Sequence, residues 1–304
     1  RFGAFLQAYA GSLHLGDRVQ VRTIAPQDAH LLHAAADVFV APTDNIQETF
    51  GLTPVEAMAC GVPVVVSDWN GYKDTVRHEE TGFLIPTLWA PVARDISEDA
   101  FLGDAPFDHF ALAQSVVVRM DLFQQAVQRL IDEEGLRNAM GTHARKHVEA
   151  CFSWEVVIAH YEALWEELVA QCQALDQPAS MAPMYAKPLY GRAFQHYASE
   201  MLSDDLVVIL SSRGQQYVDG KSHMPLHQQL GEAIDPAILQ RILKGIIYAE
   251  THHQQMSVAR LVHVITARSD APYAEDVVRR HVLWLLKYGY LHGTRPEDGE
   301  EGRG

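Results

Sequence analysis

Cysteine is scarce in this sequence. Cys60, Cys151 and Cys172 are the three in 304 residues, too few and too scattered for a disulfide framework or a metal knuckle. That usage suits a reducing compartment, so a cytoplasmic protein is expected. Long apolar runs are missing too. No stretch approaches the roughly eighteen residues of a spanning helix and no signal peptide is visible, so no transmembrane segment is expected. Positive charge is short: 24 Lys and Arg stand against 39 Asp and Glu, a formal net charge of −15. That balance argues against a nucleic-acid surface spread over the whole chain, though not against a local basic patch. Histidine is plentiful at 16, but His252 and His253 are adjacent and point to different faces of a helix. They are not the i, i+4 pair that binds zinc, and surface histidines are expected.

What is present describes an ordinary globular protein, 48% hydrophobic and 21% charged, long enough for two domains and a sizeable core. Its organising stretch is 37–67. Residues 37–41 are a β-branched and aromatic run, and 42–52 carry turn chemistry. Thr53-Pro54-Val55-Glu56 has the grammar of a helix start, with Thr53 as N-cap, Pro54 at the first helical position and Glu56 three residues after the cap. Cys60-Gly61-Val62-Pro63 stops that helix after about two turns. Val64-Val65-Val66 then reads as a parallel strand buried on both faces. The result is a βαβ unit of about thirty residues.

Its chemistry lies in the loop. A helix N-terminus at the carboxyl end of a parallel strand offers N–H groups and a positive dipole end to an anion, typically phosphate. Gly51 lets backbone approach a ligand closely. Glu48 and Glu56 bracket this turn with seven residues between them, and carboxylates accept hydrogen bonds from sugar or ribose hydroxyls. An amide cradle for diphosphate with a Glu on either side is what a nucleotide-sugar needs. The plainer readings are that Glu56 closes a capping box with Thr53, worth roughly 1 kcal/mol, and that Glu48 is a solvated loop carboxylate.

The string Glu48-Thr49-Phe50-Gly51-Leu52-Thr53-Pro54-Val55-Glu56-Ala57-Met58-Ala59 resembles the E-x7-E signature of the retaining glycosyltransferase group 1 family, which has the GT-B fold. The resemblance continues through Gly61-Val62-Pro63-Val64-Val65, Gly71-Tyr72-Lys73-Asp74-Thr75-Val76 and Thr81-Gly82-Phe83-Leu84-Ile85 to about Leu168. It implies that Glu48 contacts donor sugar hydroxyls and is the residue of the catalytic centre. It implies further that Thr49, Phe50, Gly51, Leu52 and Thr53 hold the sugar and diphosphate, and that Glu56 holds the ribose. It implies front-face attack with retention, the leaving diphosphate being stabilised by amides and cations, so both Glu bind and position rather than act as a glycosidase-like acid/base pair. No metal or other cofactor is expected; the nucleoside-diphosphate sugar is substrate. A phosphorylase-like use of the fold has no lysine motif for pyridoxal phosphate behind it.

The chain opens on Arg1, and the resemblance places that start midway through the nucleotide-binding domain. Absent are the family's acceptor-binding domain and the Gly-rich and Arg/Lys segments that cradle and neutralise the donor diphosphate. The expectation is a fragment of a longer protein, or else a reduced remnant, with this piece inactive alone and its acceptor a glycan, lipid or small molecule. Before the core unit, 1–13 reads as a helix, 19–24 as an alternating strand and Pro26-Gln27-Asp28 as a helix start. After it, Tyr72 and Lys73 stand near the carboxyl edge where ligands of open α/β sheets bind, though such residues more often pack a loop. Residues 88–114 read as a long acidic loop with Asp95, Glu98, Asp99, Asp104 and Asp108, a solvated face without metal-ligand spacing. Helices follow from Met120, over 136–150, and after Ser153 as cap, the last carrying Trp165 and Leu168 on a face expected to be exposed in the absence of a partner domain.

The resemblance ends near Gln171. Residues 176–188 read as a linker, 189–202 as a helix, 206–211 as a buried strand with 216–218 as its hairpin partner. Three helices, over 236–249, 257–265 and 273–288, and a strand at 289–293 are similar to a winged-helix domain. Its third helix would bring Arg279, Arg280, His281 and Lys287 to DNA in a nucleic-acid-binding version, which this acidic chain does not favour. The expected organisation is a partial nucleotide-sugar-binding domain over 1–175, a linker and extension over 176–230, a winged-helix-like domain over 231–293 and an acidic disordered tail over 294–304. The fold class is therefore α/β: an incomplete Rossmann-like C-terminal half of a GT-B glycosyltransferase, followed by a mainly helical winged-helix-like module. The alternative is a non-catalytic regulator acting through that module.

Overall fold

The computed structural model describes residues 2–91, 105–174, 190–224, 233–267 and 273–294. Sequence readings over 92–104, 175–189, 225–232, 268–272 and 295–304 lie outside them, including the linker read over 176–188 and all but the first residue of the tail.

The α/β part is built on three parallel strands, β1 (Phe39–Ala41), β2 (Val64–Ser67) and β3 (Gly82–Ile85), in the order β1-β2-β3 with Phe39 beside Val64 and Val64 beside Gly82. Strand β2 is central and wholly buried, which is why its sequence is an unbroken Val run. Val64 and Val66 face one layer with Val55, Met58, Ala144 and Val148. Val65 faces the other with Phe83, Phe123, Leu130 and Met140. The first layer comes from α3 (Leu52–Ala59) and α7 (Glu134–Cys151), the second largely from α6 (Met120–Asp132). Helix α3 ends as its sequence requires. Gly61 is left-handed at φ 79°, its N–H bonds to the Met58 carbonyl at 2.9 Å, and the Val62 N–H bonds to Ala57 at 3.1 Å, a Schellman closure.

Ahead of the sheet lie α1 (Phe2–Ser12), a 3₁₀ turn (Pro26–Asp28) and α2 (Ala29–Ala34). The expected strand at 19–24 does not form. Alternation alone makes no strand without a ladder partner, and this exposed segment is tied instead to one side chain: Gln7 Nε2 donates to the Val19 carbonyl at 2.9 Å and Gln7 Oε1 accepts from the Val21 N–H at 3.1 Å.

Three further expectations are corrected. In the described part of the supposed acidic loop, β4 (Thr87–Trp89) and α5 (Ala105–Ala113) form, and Trp89, Leu112 and even Asp108 are buried. Trp89 Nε1 donates to Ser115 Oγ at 2.9 Å. The helix expected over 189–202 is only the short α9 (Tyr190–Phe194) and a 3₁₀ turn, after which β6 (Glu200–Met201) pairs parallel with β4, whose other edge carries β5 (Val117–Val118) antiparallel. Residues 190–201 thus combine a short helix, a turn and a strand packed on β4. Last, β7 (Val207–Leu210) is paired antiparallel with β8 (Leu291–Thr294). Its proposed hairpin partner is a helix, α10 (Ser212–Val218), capped by Ser211 Oγ accepting from the Gly214 N–H at 2.9 Å.

Helices α11 (Pro236–Thr251), α12 (Val258–Thr266) and α13 (Glu275–Lys287) pack on one another. Asp235 caps α11 ahead of Pro236, and Ser257 caps α12, both as the sequence grammar requires. Three helices and a two-stranded sheet share the helical content expected of the C-terminal part. One hydrophobic cluster runs from these helices, through Ile242, Leu261, Val282 and Trp284, into Ile46, Trp69, Trp89 and Tyr197 beside the α/β sheet.

Helix α8 (Trp154–Ala174) has no buried residue. Trp165 is 59% and Leu168 46% exposed, the open apolar face anticipated from the sequence. Among the described residues no helix is long and apolar enough to cross a membrane.

Candidate functional site

The loop from β1 to α3 is where the sequence signature falls, at the carboxyl end of β1. The helix begins two residues earlier than expected. Gly51, at φ 91°, is the N-cap, no side chain caps the helix, and its first turn holds no acidic residue. The capping box between Thr53 and Glu56 is therefore not made. Thr53 is inside the helix, and the positive end of the helix dipole is met by neither a capping side chain nor a first-turn carboxylate of its own. Glycine at position 51 has a double cause: a left-handed backbone, and a Cβ that would stand 2.4 Å from the Tyr72 ring. Gly71 is required by close approach alone, since a Cβ there would stand 2.2 Å from the Thr49 carbonyl oxygen.

Glu48 is not a free loop carboxylate. Tyr72, 1% exposed, reaches from α4 (Tyr72–Thr75) and donates its hydroxyl to Glu48 Oε2 at 3.3 Å. Thr43 Oγ1 lies 3.0 Å from the same phenol oxygen, so Thr43 donates to Tyr72 while Tyr72 donates to Glu48. Burial raises the Tyr72 pKa above its ordinary value, the Glu48 charge adds to that, and the Thr43 hydrogen bond works against it. The phenol thus stays protonated across the working range. Asn70, itself left-handed at φ 43°, donates Nδ2 to the Glu48 carbonyl at 2.6 Å. Trp69 Nε1 donates to the Asn45 carbonyl at 2.9 Å.

All but one of the other candidate residues of the loop are presented outward. Thr49, Leu52 and Thr53 are exposed, Gly51 is buried, and Phe50 is 42% exposed with an edge-on contact to Phe152 at 5.8 Å between ring centroids. Glu56 sits on the next turn of α3, its side chain 55% exposed and 3.6 Å from His33 Nε2. Tyr72 is turned inward, so its role is to hold Glu48. Lys73 packs a loop, donating to the carbonyls of Ala198 at 2.9 Å and His196 at 3.3 Å. Sequence reasoning missed Thr43, Trp69 and Asn70; only the position of 68–72 at the same sheet edge pointed toward them.

The cations considered for DNA are committed elsewhere. Arg280 is buried and donates to the Ala233 carbonyl, His281 Nε2 accepts from the Asp235 N–H, Arg279 pairs with Asp204, and Lys287 pairs with Asp44. The nucleic-acid version of the helical module loses the residues it needed.

Residues 3–98 match the profile of the family described as "Glycosyl transferases group 1". Residues 3–98 are thus similar to group 1 glycosyltransferases. Relatives with that segment include a D-inositol 3-phosphate glycosyltransferase of Geodermatophilus obscurus, 30% identical over 188 residues, or 60% of this chain and 33% of the relative. An N-acetyl-alpha-D-glucosaminyl L-malate synthase of Bacillus anthracis is 29% identical over 158 residues, 52% of this chain and 33% of the relative. The chain thus spans about a third of the length of these relatives. A solved sucrose-phosphate synthase from Thermosynechococcus elongatus is 30% identical over 55% of this chain and 34% of its own, with a TM-score of 0.38, a likeness too loose to bear on the fold. The matched segment covers both Glu48 and Glu56 and ends before the C-terminal helices.

Proposed function

We propose that this chain supplies the donor side of a retaining glycosyltransferase of GT-B type, which moves a sugar, a hexose in the simplest case, from a nucleoside diphosphate to an acceptor hydroxyl. The observation that carries the reading is the uncapped N-terminus of α3, opened by left-handed Gly51 and flanked by a Glu48 that Tyr72 and Asn70 hold in place. Amides of the first helical turn, with Thr49, Phe50, Leu52 and Thr53 around them, meet the diphosphate and the donor sugar. Glu48 accepts hydrogen bonds from sugar hydroxyls and fixes the reacting centre, and Glu56 accepts from the ribose. Neither Glu is a nucleophile here: each orients, and the charge growing on the leaving diphosphate falls at the positive end of a helix already aligned with it. No metal or cofactor enters this reading. The acceptor would be met by parts of the enzyme beyond the matched segment.

Titration calorimetry with UDP-, GDP- and ADP-sugars tests the assignment. Glu56→Ala is expected to weaken nucleotide binding by about 1 kcal/mol, what an ordinary hydrogen bond contributes net, because Glu56 is more than half exposed. Glu48→Ala is expected to lower transfer more than nucleotide affinity. Unchanged affinity in a folded Glu56→Ala protein removes its ribose role, and a Glu48→Ala loss confined to binding removes the assignment of Glu48.

A further inference from the structure

The loop that carries Glu48 is anchored by the far end of the chain. Lys287, in the last turn of α13, is paired with Asp44, 243 positions earlier, only four residues before Glu48. The same ammonium donates to the Ala113 carbonyl at 2.8 Å and to Val116 at 3.1 Å, so its three protons meet three acceptors from two segments of the α/β part. The next residue, Tyr288, donates its hydroxyl to Gln114 Oε1 at 2.7 Å. Burial raises the Tyr288 pKa, and the Asp44 charge adds to it. Beside this junction Ile46, 4% exposed, is buried in the cluster that contains the module's helices. Asp44 and Ile46 are thus both fixed toward the C-terminal part, while Glu48 is held by Asn70 and Tyr72, three residues before the N-cap of α3.

We infer that Lys287 is a positioning residue for the donor loop, so that helix α13 of the appended module sets the geometry of a site belonging to the glycosyltransferase segment. The ammonium touches no substrate. It acts through Asp44, whose carboxylate would otherwise be a half-buried charge free to pull the loop outward. A loop displaced by an ångström costs a reaction on the order of a hundredfold where positioning is the main catalytic device. The consequence for catalysis rests on the donor-site reading above; the mechanical link does not.

The test is hydrogen exchange on the full chain, wild type against Lys287→Met, followed over 42–51 and over α11 to α13. Amides of 42–51 are expected to exchange at least about tenfold faster in the variant, with the three helices as protected as before. Unchanged protection of 42–51 in the variant overturns the inference. Should Lys287→Met also lose protection in α11 to α13, Asp44→Asn decides. It leaves Lys287 bonded to Ala113 and Val116, and the loop must loosen alone; a loop as protected as in wild type overturns the inference. Turnover of UDP-, GDP- or ADP-glucose separates the two readings. In the variant kcat is expected to fall about tenfold with KM within about threefold, whereas a loss confined to KM overturns positioning. A wild-type chain that binds none of the three nucleotide sugars, together with a loop that loosens in the variant, leaves the link standing and removes the donor-site reading alone.

Discussion

Gly51 and Tyr72 are one structural decision taken at two positions. The left-handed backbone at 51 opens α3 without a side-chain cap, and the space a Cβ would need is filled by the ring whose hydroxyl holds Glu48. Gly51→Ala is therefore expected to lose stability by about 1–3 kcal/mol from backbone strain at positive φ together with the steric conflict, read as a lower urea midpoint at unchanged m-value. The paired glycine and tyrosine were both visible in the sequence, but their contact was not, because they lie 21 positions apart and meet only when the two loops fold onto one sheet edge. His147 is a residue-scale effect of another kind. Its Nε2–H donates to the Thr75 carbonyl at 3.2 Å and its Nδ1 lies 3.6 Å from Cys151 Sγ. Burial lowers its pKa and the Arg77 charge adds to that, so the folded protein favours the neutral ring. A histidine depressed in this way contributes fully above its unfolded value of about 6.5 and loses that contribution as pH falls from there toward the folded value. The difference in Tm between pH 7.5 and pH 5.5 is expected to shrink in His147→Gln. An undiminished difference would mean that other groups carry the acid sensitivity.

At the scale of elements, grammar and partnership divide cleanly. Asp235 with Pro236, Ser257 and Gly61 mark helix ends by local chemistry, and each end stands where that chemistry puts it. Thr53 obeyed the same grammar and was overruled, because Gly51 turned the chain two residues sooner. Strands fared differently. Residues 19–24 alternate well yet join no strand and bond instead to the Gln7 side chain, while β7 found its partner in β8 near the other end of the chain. Ser211 shows why the local hairpin lost. Its hydroxyl accepts from the Gly214 N–H and donates to the Gly289 carbonyl at 2.6 Å, starting α10 and fastening the turn before β8 with one buried oxygen. Ser211→Ala removes both bonds and is expected to cost about 1–2 kcal/mol, measured by chemical denaturation. A loss below about 0.3 kcal/mol would mean that the β7–β8 ladder alone sets the start of α10.

On the scale of the whole molecule, one hydrophobic cluster joins the segment that matches the group 1 glycosyltransferases to the C-terminal helices. Trp69 meets Trp89 and Tyr197 edge-on at 6.1 and 5.5 Å between ring centroids. Lys73 and Asn70 are bonded to the backbone at 196–198. A core shared in this way couples the two parts, so calorimetry of the full chain is expected to give a single cooperative transition. Two well-separated transitions would show that the module folds independently and that the shared cluster is weak. The same coupling makes the Lys287 anchor physically reasonable, since a module that melted separately could not hold a loop of its neighbour.

The sequence by itself determined the βαβ unit, the Val64–Ser67 strand buried on both faces, the C-terminal helices and the signature from Glu48 to Glu56. These rest on short-range rules: residue spacing, caps and runs of β-branched side chains, all of which act within a few residues. Only the tertiary structure decided that β7 pairs with β8, that residues 190–201 pack against the sheet, that Tyr72 faces Glu48 rather than a ligand, and that Lys287 reaches Asp44 instead of a phosphate. Each of those depends on groups tens to hundreds of positions apart competing for one buried partner, and a buried charge or polar group goes to whichever partner the packing brings within reach.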